Sequence, residues 1–527
     1  MNTCAFLAKA AKYHGDEPAI RWGDELHSYG EFYDRALAIG GNLLARGLKP
    51  GDRVAFALAN SPRILEVIFG CFAAGLVVVP INARLHAKEM AYIVGNSGAR
   101  VLVHGPEYDD GIRQNADQFA NLDLRVCTDA TDGALPFDAL LDRTNVLATH
   151  VDAVPEDLAW LFYTSGTTGK PKGAVWNHRT IRTVVMNYLA DVHNISGGEA
   201  VLHAAPLSHG SGIVAMPAIA RGAQNIILHT ANFDPQEMFR LIETHKVGHI
   251  AFLAPTQIVK ATEEFVPGSF DLGSLRSICY GGAPIYVEHL RKAHTVFGPV
   301  FSQIYGQGEA PITITGLRPE EHVRFIETSD PRIGSAGAIR TDVEMRIVDG
   351  DDNEVATGEM GEVVARGDVV MLGYWNNPEA TGETLAGGWL HTGDIGKVDE
   401  NGYLYLLDRA KDVIISGGNN IYPREIEEVL VTHPAINTAV VFGVPDDYWG
   451  EAVHAVVVPE HGQSVTGDEV VAFCLENLAS YKKPKSVEFM TELPLSGYGK
   501  VQRREMREAH WTGYASKVVG GKAAGSR

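Results

Sequence analysis

The chain has 527 residues, 45% hydrophobic and 21% charged, with a formal net charge of −20 and a pI near 5.4. That length suits roughly two to four domains, and the acidic balance excludes a general nucleic-acid binder, which needs a basic face, though not a local basic pocket for a nucleotide. The five cysteines, Cys4, Cys71, Cys127, Cys279 and Cys474, form no Cys-x-x-Cys pair, so neither a disulfide framework nor a zinc site is expected and a reducing cytoplasm is the expected compartment.

Met1 to Tyr13 carries Lys9 and Lys12 without a long apolar core and cleavage site, so no secretory signal is expected. Tyr29 to Leu44 has helical spacing and Arg53 to Leu58 reads as a strand. The apolar run Ile64 to Ile81 contains Glu66, Gly70, Gly75 and Pro80. It is too short and too interrupted to span a membrane, which takes about 20 apolar residues, and it predicts a buried helix running into the strand Leu76 to Val79. With Val101 to Val103 added, the alternation predicts a parallel sheet covered by helices. Gly105 to Asp157 is weakly patterned and rich in Asp, which predicts a variable surface region.

The apolar strand Leu158 to Phe162 then runs into Tyr163-Thr164-Ser165-Gly166-Thr167-Thr168-Gly169-Lys170-Pro171-Lys172-Gly173. Glycines let successive backbone N–H groups turn inward as an anion nest, hydroxyls add donors and lysines add charge. That is the composition a polyphosphate needs. The spacing is not that of a Walker loop, because Gly166 and Gly169 are too close and Pro171 follows Lys170.

A helix at about Thr180 to Asp191, a strand Val201 to Ala204 and the turn Pro206-Leu207-Ser208-His209-Gly210 come next. Three strands or strand–turn units follow: Ile250 to Pro255, Ser277 to Pro284 with its Gly281-Gly282-Ala283-Pro284 turn, and Ile304-Tyr305-Gly306-Gln307-Gly308-Glu309. Strands emptying into glycine turns at a sheet edge are where α/β folds place ligands. From Arg332 to Leu406, short alternating strands predict a small, mostly antiparallel region. Beyond Arg409 the chain restarts as an α+β unit: helix Pro423 to Thr432, strands Asn437 to Gly443 and Glu451 to Val458, helix Gly467 to Leu478, strand Ser486 to Met490. The histidines His245, His249 and His454 show no metal-ligand spacing and are expected to be structural. The last residues, 514–527, are small and polar and are expected to fray.

Taken in order, these motifs, with His391-Thr392-Gly393-Asp394, Asp408-Arg409-Ala410-Lys411-Asp412, Ser416 to Glu425 and Gly499-Lys500, resemble the adenylate-forming superfamily: acyl- and aryl-CoA synthetases, luciferases and nonribosomal adenylation domains. The resemblance covers nearly the whole chain. It implies an α/β fold: a large N-terminal domain, 1–408, of stacked α/β subdomains with a small β-rich part, and a small mobile α+β domain, 409–513.

The resemblance also implies roles. Thr164, Ser165, Gly166, Thr167, Thr168, Gly169 and Lys172 would hold the β- and γ-phosphates of ATP. Gly282, Ala283 and Pro284 would border the nucleotide, Tyr305 would stack on adenine, and Asp394 and Arg409 would bind the ribose. Glu309, with Thr164, would hold Mg2+, a hard cation that prefers such oxygens. His209 would lie near the acyl group. Lys500 would bridge the substrate carboxylate and the α-phosphate, a task suited to a mobile point charge. Lys411 would be the hinge, and Gly417 and Gly418 would border the coenzyme A channel.

One position departs from the family pattern. Gly308 stands where a threonine is usual, so one phosphate donor is missing and the glycine is expected to open space beside the acyl pocket. The implied reaction has two halves: a carboxylic acid attacks Mg2+-ATP to give an acyl-adenylate, and coenzyme A then displaces AMP. The expected acid is a hydrophobic monocarboxylate, a medium- or long-chain fatty acid or an aromatic acid, lined by His209 to Val214, Phe252 to Pro255, Tyr280 to Pro284 and Tyr305 to Gly308. A ligase that loads a carrier protein, and a degenerate sensor, are the alternatives.

Overall fold

The computed structural model describes all residues except 130, 165–169, 231, 410–411, 417–418, 447, 497–500 and 512–527. The expected roles of Ser165, Gly166, Thr167, Thr168, Gly169, Lys411, Gly417, Gly418 and Lys500, and the expected fraying of the tail, therefore fall outside the described residues.

Three sheets organise the chain. The first begins with Arg53–Ala57, flanked in parallel by Val77–Ile81 and Val101–His104. Its inner strands are rich in Val, Ala and Phe and, apart from Arg53, buried throughout, as a strand covered on both faces must be. The helix Pro62–Ala74 covers it and is itself buried over almost its whole length. It meets the helix Tyr29–Ala45 closely enough that a Cβ on Gly40 would lie 2.8 Å from the Gly70 carbonyl oxygen, so both positions need a residue without a side chain. The one acid in this helix, Glu66, is buried and accepts from Arg35 Nε at 2.6 Å and from Arg63 at 3.0 Å. Among the described residues, no helix is long and apolar enough to cross a membrane.

The region 105–157 is less superficial than its composition suggests. Leu124–Cys127 joins the same sheet, parallel to Val101–His104, and Val126 and Cys127 are buried. A four-residue strand carries too little periodicity to announce itself. At the opposite edge, Leu158–Thr164 pairs with Val77–Ile81 and then antiparallel with Lys172–Asn177, setting Thr164 opposite Lys172.

The second sheet has 13 strands. Its parallel part runs through Ala200–His203, His249–Leu253, Ser277–Gly281 and Phe301–Tyr305. The region from Arg332 to Leu406 is antiparallel, as expected, but it is not a separate sheet. Gly337–Ile339 pairs with Thr315–Leu317 on one side and with Tyr403–Arg409 on the other, so Leu390–Val398, Gly361–Arg366 and Glu344–Val348 extend the large sheet. Edge strands with free backbone groups favour such continuation.

The third sheet takes Ile414–Ser416, Asn419–Ile421, Ile436–Asp446, Gly450–Pro459 and Ser486–Phe489. Helices Pro423–Leu430 and Gly467–Asn477 cover one face. Arg503–His510 lies on the other, with its Met506 packed against Phe442 and Val456. This unit touches the rest of the chain at defined points. The Tyr286 hydroxyl donates to the Ala439 carbonyl at 2.9 Å, and His289 Nε2 lies 3.0 Å from the Asn437 carbonyl. The Arg503 guanidinium bridges Asp408 at 3.1 Å and Glu427 at 2.6 Å. Burial alone would lower the pKa of that guanidinium, but the carboxylates of Glu427 and Asp408 outweigh it and raise the pKa.

Candidate active site

Asp394 is the hub of the site. It lies mid-strand in Leu390–Val398 and is 8% exposed. Tyr305, at the end of Phe301–Tyr305, donates its hydroxyl to Asp394 Oδ2 at 2.7 Å. Gln307 Nε2 donates to the same oxygen at 2.7 Å and to the Thr392 carbonyl at 2.8 Å. Arg409, directly opposite Asp394 in the antiparallel register, places Nε 2.9 Å from Oδ1. A buried carboxylate needs such partners, since desolvation without them is costly. Burial, then the Asp394 carboxylate, push the Tyr305 phenol well above its ordinary pKa. Burial would lower the Arg409 guanidinium, but Asp394, Tyr305 and Glu309 outweigh it and raise it. All of these groups except Gln307 were expected at a nucleotide site, and they do converge.

Glu309 forms the neighbouring corner. Its Oε1 accepts the Tyr374 hydroxyl at 2.6 Å and lies 3.5 Å from Thr164 Oγ1. The segment carrying Tyr374 is strapped down by backbone bonds: Met371 N to the Glu309 carbonyl at 2.8 Å, Leu372 N to Val175 O at 2.9 Å and Trp375 N to Gly173 O at 2.8 Å. Lys172 Nζ sits 5.0 Å from the centroid of the Tyr374 ring, a cation–π distance. One tyrosine thus touches both the carboxylate and the first lysine after the loop. A carboxylate and a hydroxyl presenting oxygens side by side are the donors a hard divalent cation takes, alongside phosphate oxygens, so these residues fit Mg2+.

The expected opening beside Gly308 is not there. A Cβ at Gly308 would run into the Thr164 methyl and come within 2.9 Å of Phe162 Cδ1. The space that a threonine would fill is taken by these two side chains, which the sequence around Gly308 could not reveal. Trp176 Nε1 further donates to the Gly308 carbonyl at 2.8 Å.

Phe162 stacks on Trp176 with centroids 4.8 Å apart and planes 12° from parallel, and it meets His209 edge-on at 5.2 Å. His209 caps the helix Gly210–Arg221, with its Nδ1 3.1 Å from Ser208 Oγ. Behind Trp176 lies a small apolar cavity walled by Trp160, Ile181, Val184, Ile213 and Met216. Tyr280, expected to line the acyl pocket, does not. It is 1% exposed and its hydroxyl is 2.9 Å from His322 Nε2 in the core beneath the sheet. The turn after it, with Gly282 at φ 77°, leaves Gly282 and Pro284 at the surface and Ala283 half-buried.

The family model of AMP-binding enzymes matches residues 7–375, and that of the AMP-binding enzyme C-terminal domain matches residues 425–500. The chain belongs to the AMP-binding enzyme family. The adenylate-forming resemblance read from its motifs holds, and with it the α/β architecture with a small C-terminal unit and the class of AMP-forming acyl-CoA synthetase. A feruloyl-CoA synthase of Amycolatopsis sp is 39% identical, the match covering 93% of this chain and 95% of that protein. A fatty acid–[acyl-carrier-protein] ligase, ScoC, of Streptomyces coeruleorubidus is 34% identical over 96% of each. Among solved structures, the anthranilate CoA ligase AuaEII in complex with anthranoyl-AMP superposes with a TM-score of 0.89 at 26% identity, over 97% of each chain.

Sequence reasoning missed Tyr374, Phe162 and Trp176 as site residues, and it put Gln307 in the acyl lining and not on Asp394. Gln307 and Phe162 lay inside or beside quoted motifs. Tyr374 and Trp176 carried no signal, because the strap and the strand pairing that bring them in are long-range.

Proposed function

We propose that this enzyme activates an aromatic monocarboxylic acid through an acyl-adenylate and passes it to coenzyme A. The observation that carries the choice of acid is the aromatic wall of Phe162, Trp176 and His209, with the Gly308 backbone against it. Flat rings favour offset or edge contacts with another ring. Similarity to a feruloyl-CoA synthase over nearly the whole chain supports the same reading.

In this reading Tyr305, Gln307 and Arg409 hold Asp394 so that its carboxylate can take the ribose hydroxyls. Thr164 and Lys172, at the two ends of the loop 165–171, steer the leaving phosphates. Glu309 and Thr164 would hold Mg2+, which supplies charge neutralisation at the phosphates. Lys500 enters on the small domain, taken as 409–513, and that domain turns about Lys411 before coenzyme A arrives through the channel bordered by Gly417 and Gly418. The protein's contribution is positioning and electrostatics, and domain rotation lets one cavity serve both halves.

A second reading is loading of a fatty acyl group onto a carrier protein. It draws on the similarity to ScoC. One experiment separates the two. Purified enzyme is offered ATP, coenzyme A and a panel running from benzoate and ferulate to saturated acids of increasing length, with AMP and thioester followed by mass spectrometry. Robust thioester from an aromatic acid is expected. Adenylate without thioester would overturn the proposal in favour of the second reading, and turnover confined to long saturated acids would overturn the choice of an aromatic acid.

A further inference from the structure

We propose that His454, Glu488 and His510 form a binding site for one zinc ion on the outer face of the C-terminal unit. The sequence gives no hint of it, since the three residues are far apart in the chain. They come from three elements: the strand Gly450–Pro459, the strand Ser486–Phe489 and the last turn of the helix Arg503–His510. Register pairs His454 with Ser486 and Val456 with Glu488, so the two ligands on the sheet share one face. The helix lies across that face with its Met506 against Phe442 and Val456, and delivers His510 to it.

The geometry is that of a closed set of donors. His454 Nε2 lies 3.6 Å from Glu488 Oε2, and His510 Nε2 lies 3.9 Å from the same oxygen. One ligand atom from each residue falls within 4.8 Å of the other two. A tetrahedral zinc with bonds of about 2.1 Å sets its ligands roughly 3.4 Å apart, so only small side-chain adjustments are needed.

His454 makes the case independently of the cluster. Its side chain is 6% exposed, and Nε2 has no hydrogen-bond partner among the described residues although it is buried. An orphan of that kind is costly. Its other nitrogen, Nδ1, is 2.7 Å from Ser486 Oγ; with Nδ1 as the donor, this is the outer contact that orients a ligating imidazole and leaves the far nitrogen's lone pair free. Two imidazoles and one carboxylate suit zinc, whereas Mg2+ prefers an all-oxygen set. His510 and Glu488 are partly exposed, which leaves the fourth position to water.

The site would clamp the helix that directly follows Lys500. The start of that helix is already held by Arg503 on Asp408 and Glu427, and the ion would add to the Trp511 Nε1 bond to the Gly443 carbonyl, 3.0 Å, just past its other end.

The test uses untagged full-length enzyme, stripped with chelator and titrated with Zn2+, read by metal content, calorimetry and thermal melting. One zinc per chain and a raised melting temperature are expected. His510→Ala and Glu488→Gln, both at surface positions, should weaken binding at least tenfold and abolish the thermal shift. Wild-type enzyme that retains no zinc, or variants that titrate like wild type, would overturn the site. Cobalt substitution gives a second readout, since tetrahedral Co2+ should show intense visible absorption in wild type and lose it in His510→Ala.

Discussion

Tyr374 binds Glu309 and Lys172 with different parts of one side chain: its hydroxyl donates to Glu309 Oε1 at 2.6 Å while its ring lies under Lys172 Nζ at 5.0 Å. The hydroxyl fixes where the carboxylate points, and a hydrogen bond to a charged group is worth about 1.5–3 kcal/mol. Tyr374→Phe keeps the ring and removes only that bond. The half-saturating Mg2+ concentration for adenylate formation should rise about tenfold, with the thermal midpoint nearly unchanged. Pyrophosphate exchange against Mg2+ concentration measures it, and an unchanged Mg2+ dependence would remove Tyr374 as the positioning residue.

Gly308 is packed, not open. Restoring the usual threonine forces its Cβ into the Thr164 methyl and toward Phe162, and overpacking of this kind typically costs 1–3 kcal/mol. Gly308→Thr should therefore be less stable and less active. Adding Thr164→Ser, which keeps the hydroxyl and removes the methyl that the new Cβ would meet first, should recover part of both. A Gly308→Thr enzyme with wild-type turnover and melting would contradict the packing account.

How much of this was legible in the sequence follows from where each signal lives. The helix Pro62–Ala74 and the strands around it could be read because an apolar run bounded by glycine and proline is a local pattern. Asp394, Arg409 and Tyr305 could be named because each sits in a short motif, yet nothing local says that Asp394 and Arg409 face each other across a strand pair. Gly308 was misjudged for the same reason: the absence of a side chain is visible in sequence, but what fills the gap is set by Phe162 on a neighbouring strand. Strand pairing between distant segments also decides that the antiparallel region extends the large sheet and that His454 meets His510.

Three buried histidines make stability fall with acid. Burial is the largest cause in each case, and it holds His178, His203 and His322 at about 4 against an ordinary 6.5. The neutral rings are built into the fold: His203 meets Ser211 at 2.9 Å and Asn225 at 3.0 Å, and His322 meets Tyr280 at 2.9 Å. Because the folded pKa is depressed, the unfolded chain binds the extra protons. The stabilisation is complete above about pH 6.5 and is lost as pH falls toward 4, on the order of 2 kcal/mol per residue by pH 5. Thermal midpoints should drop steadily between pH 7 and 5. His322→Gln, which can still donate to the Arg318 carbonyl and accept from Tyr280, should flatten that slope, and a midpoint independent of pH in wild type would refute the account.

Lys500 should separate the two half-reactions. The resemblance to adenylate-forming enzymes gives it a role only while the carboxylate attacks phosphorus, where negative charge shifts between the two groups. Its described flanks, Leu495 and Val501, pair antiparallel, and Lys500→Ala removes the charge. Losing one such electrostatic contact typically costs 10²–10³-fold. Adenylate formation from acid and ATP should fall by at least about a hundredfold. Thioester formation from a supplied acyl-adenylate and coenzyme A should stay within a few-fold of wild type, because that step needs no bridge between carboxylate and phosphate. The comparison is made on one preparation, by pyrophosphate release for the first half and thioester mass for the second. Equal loss in both would mean that Lys500 supports the fold of the C-terminal unit or the coenzyme A site, and its assignment to the adenylation step would fall.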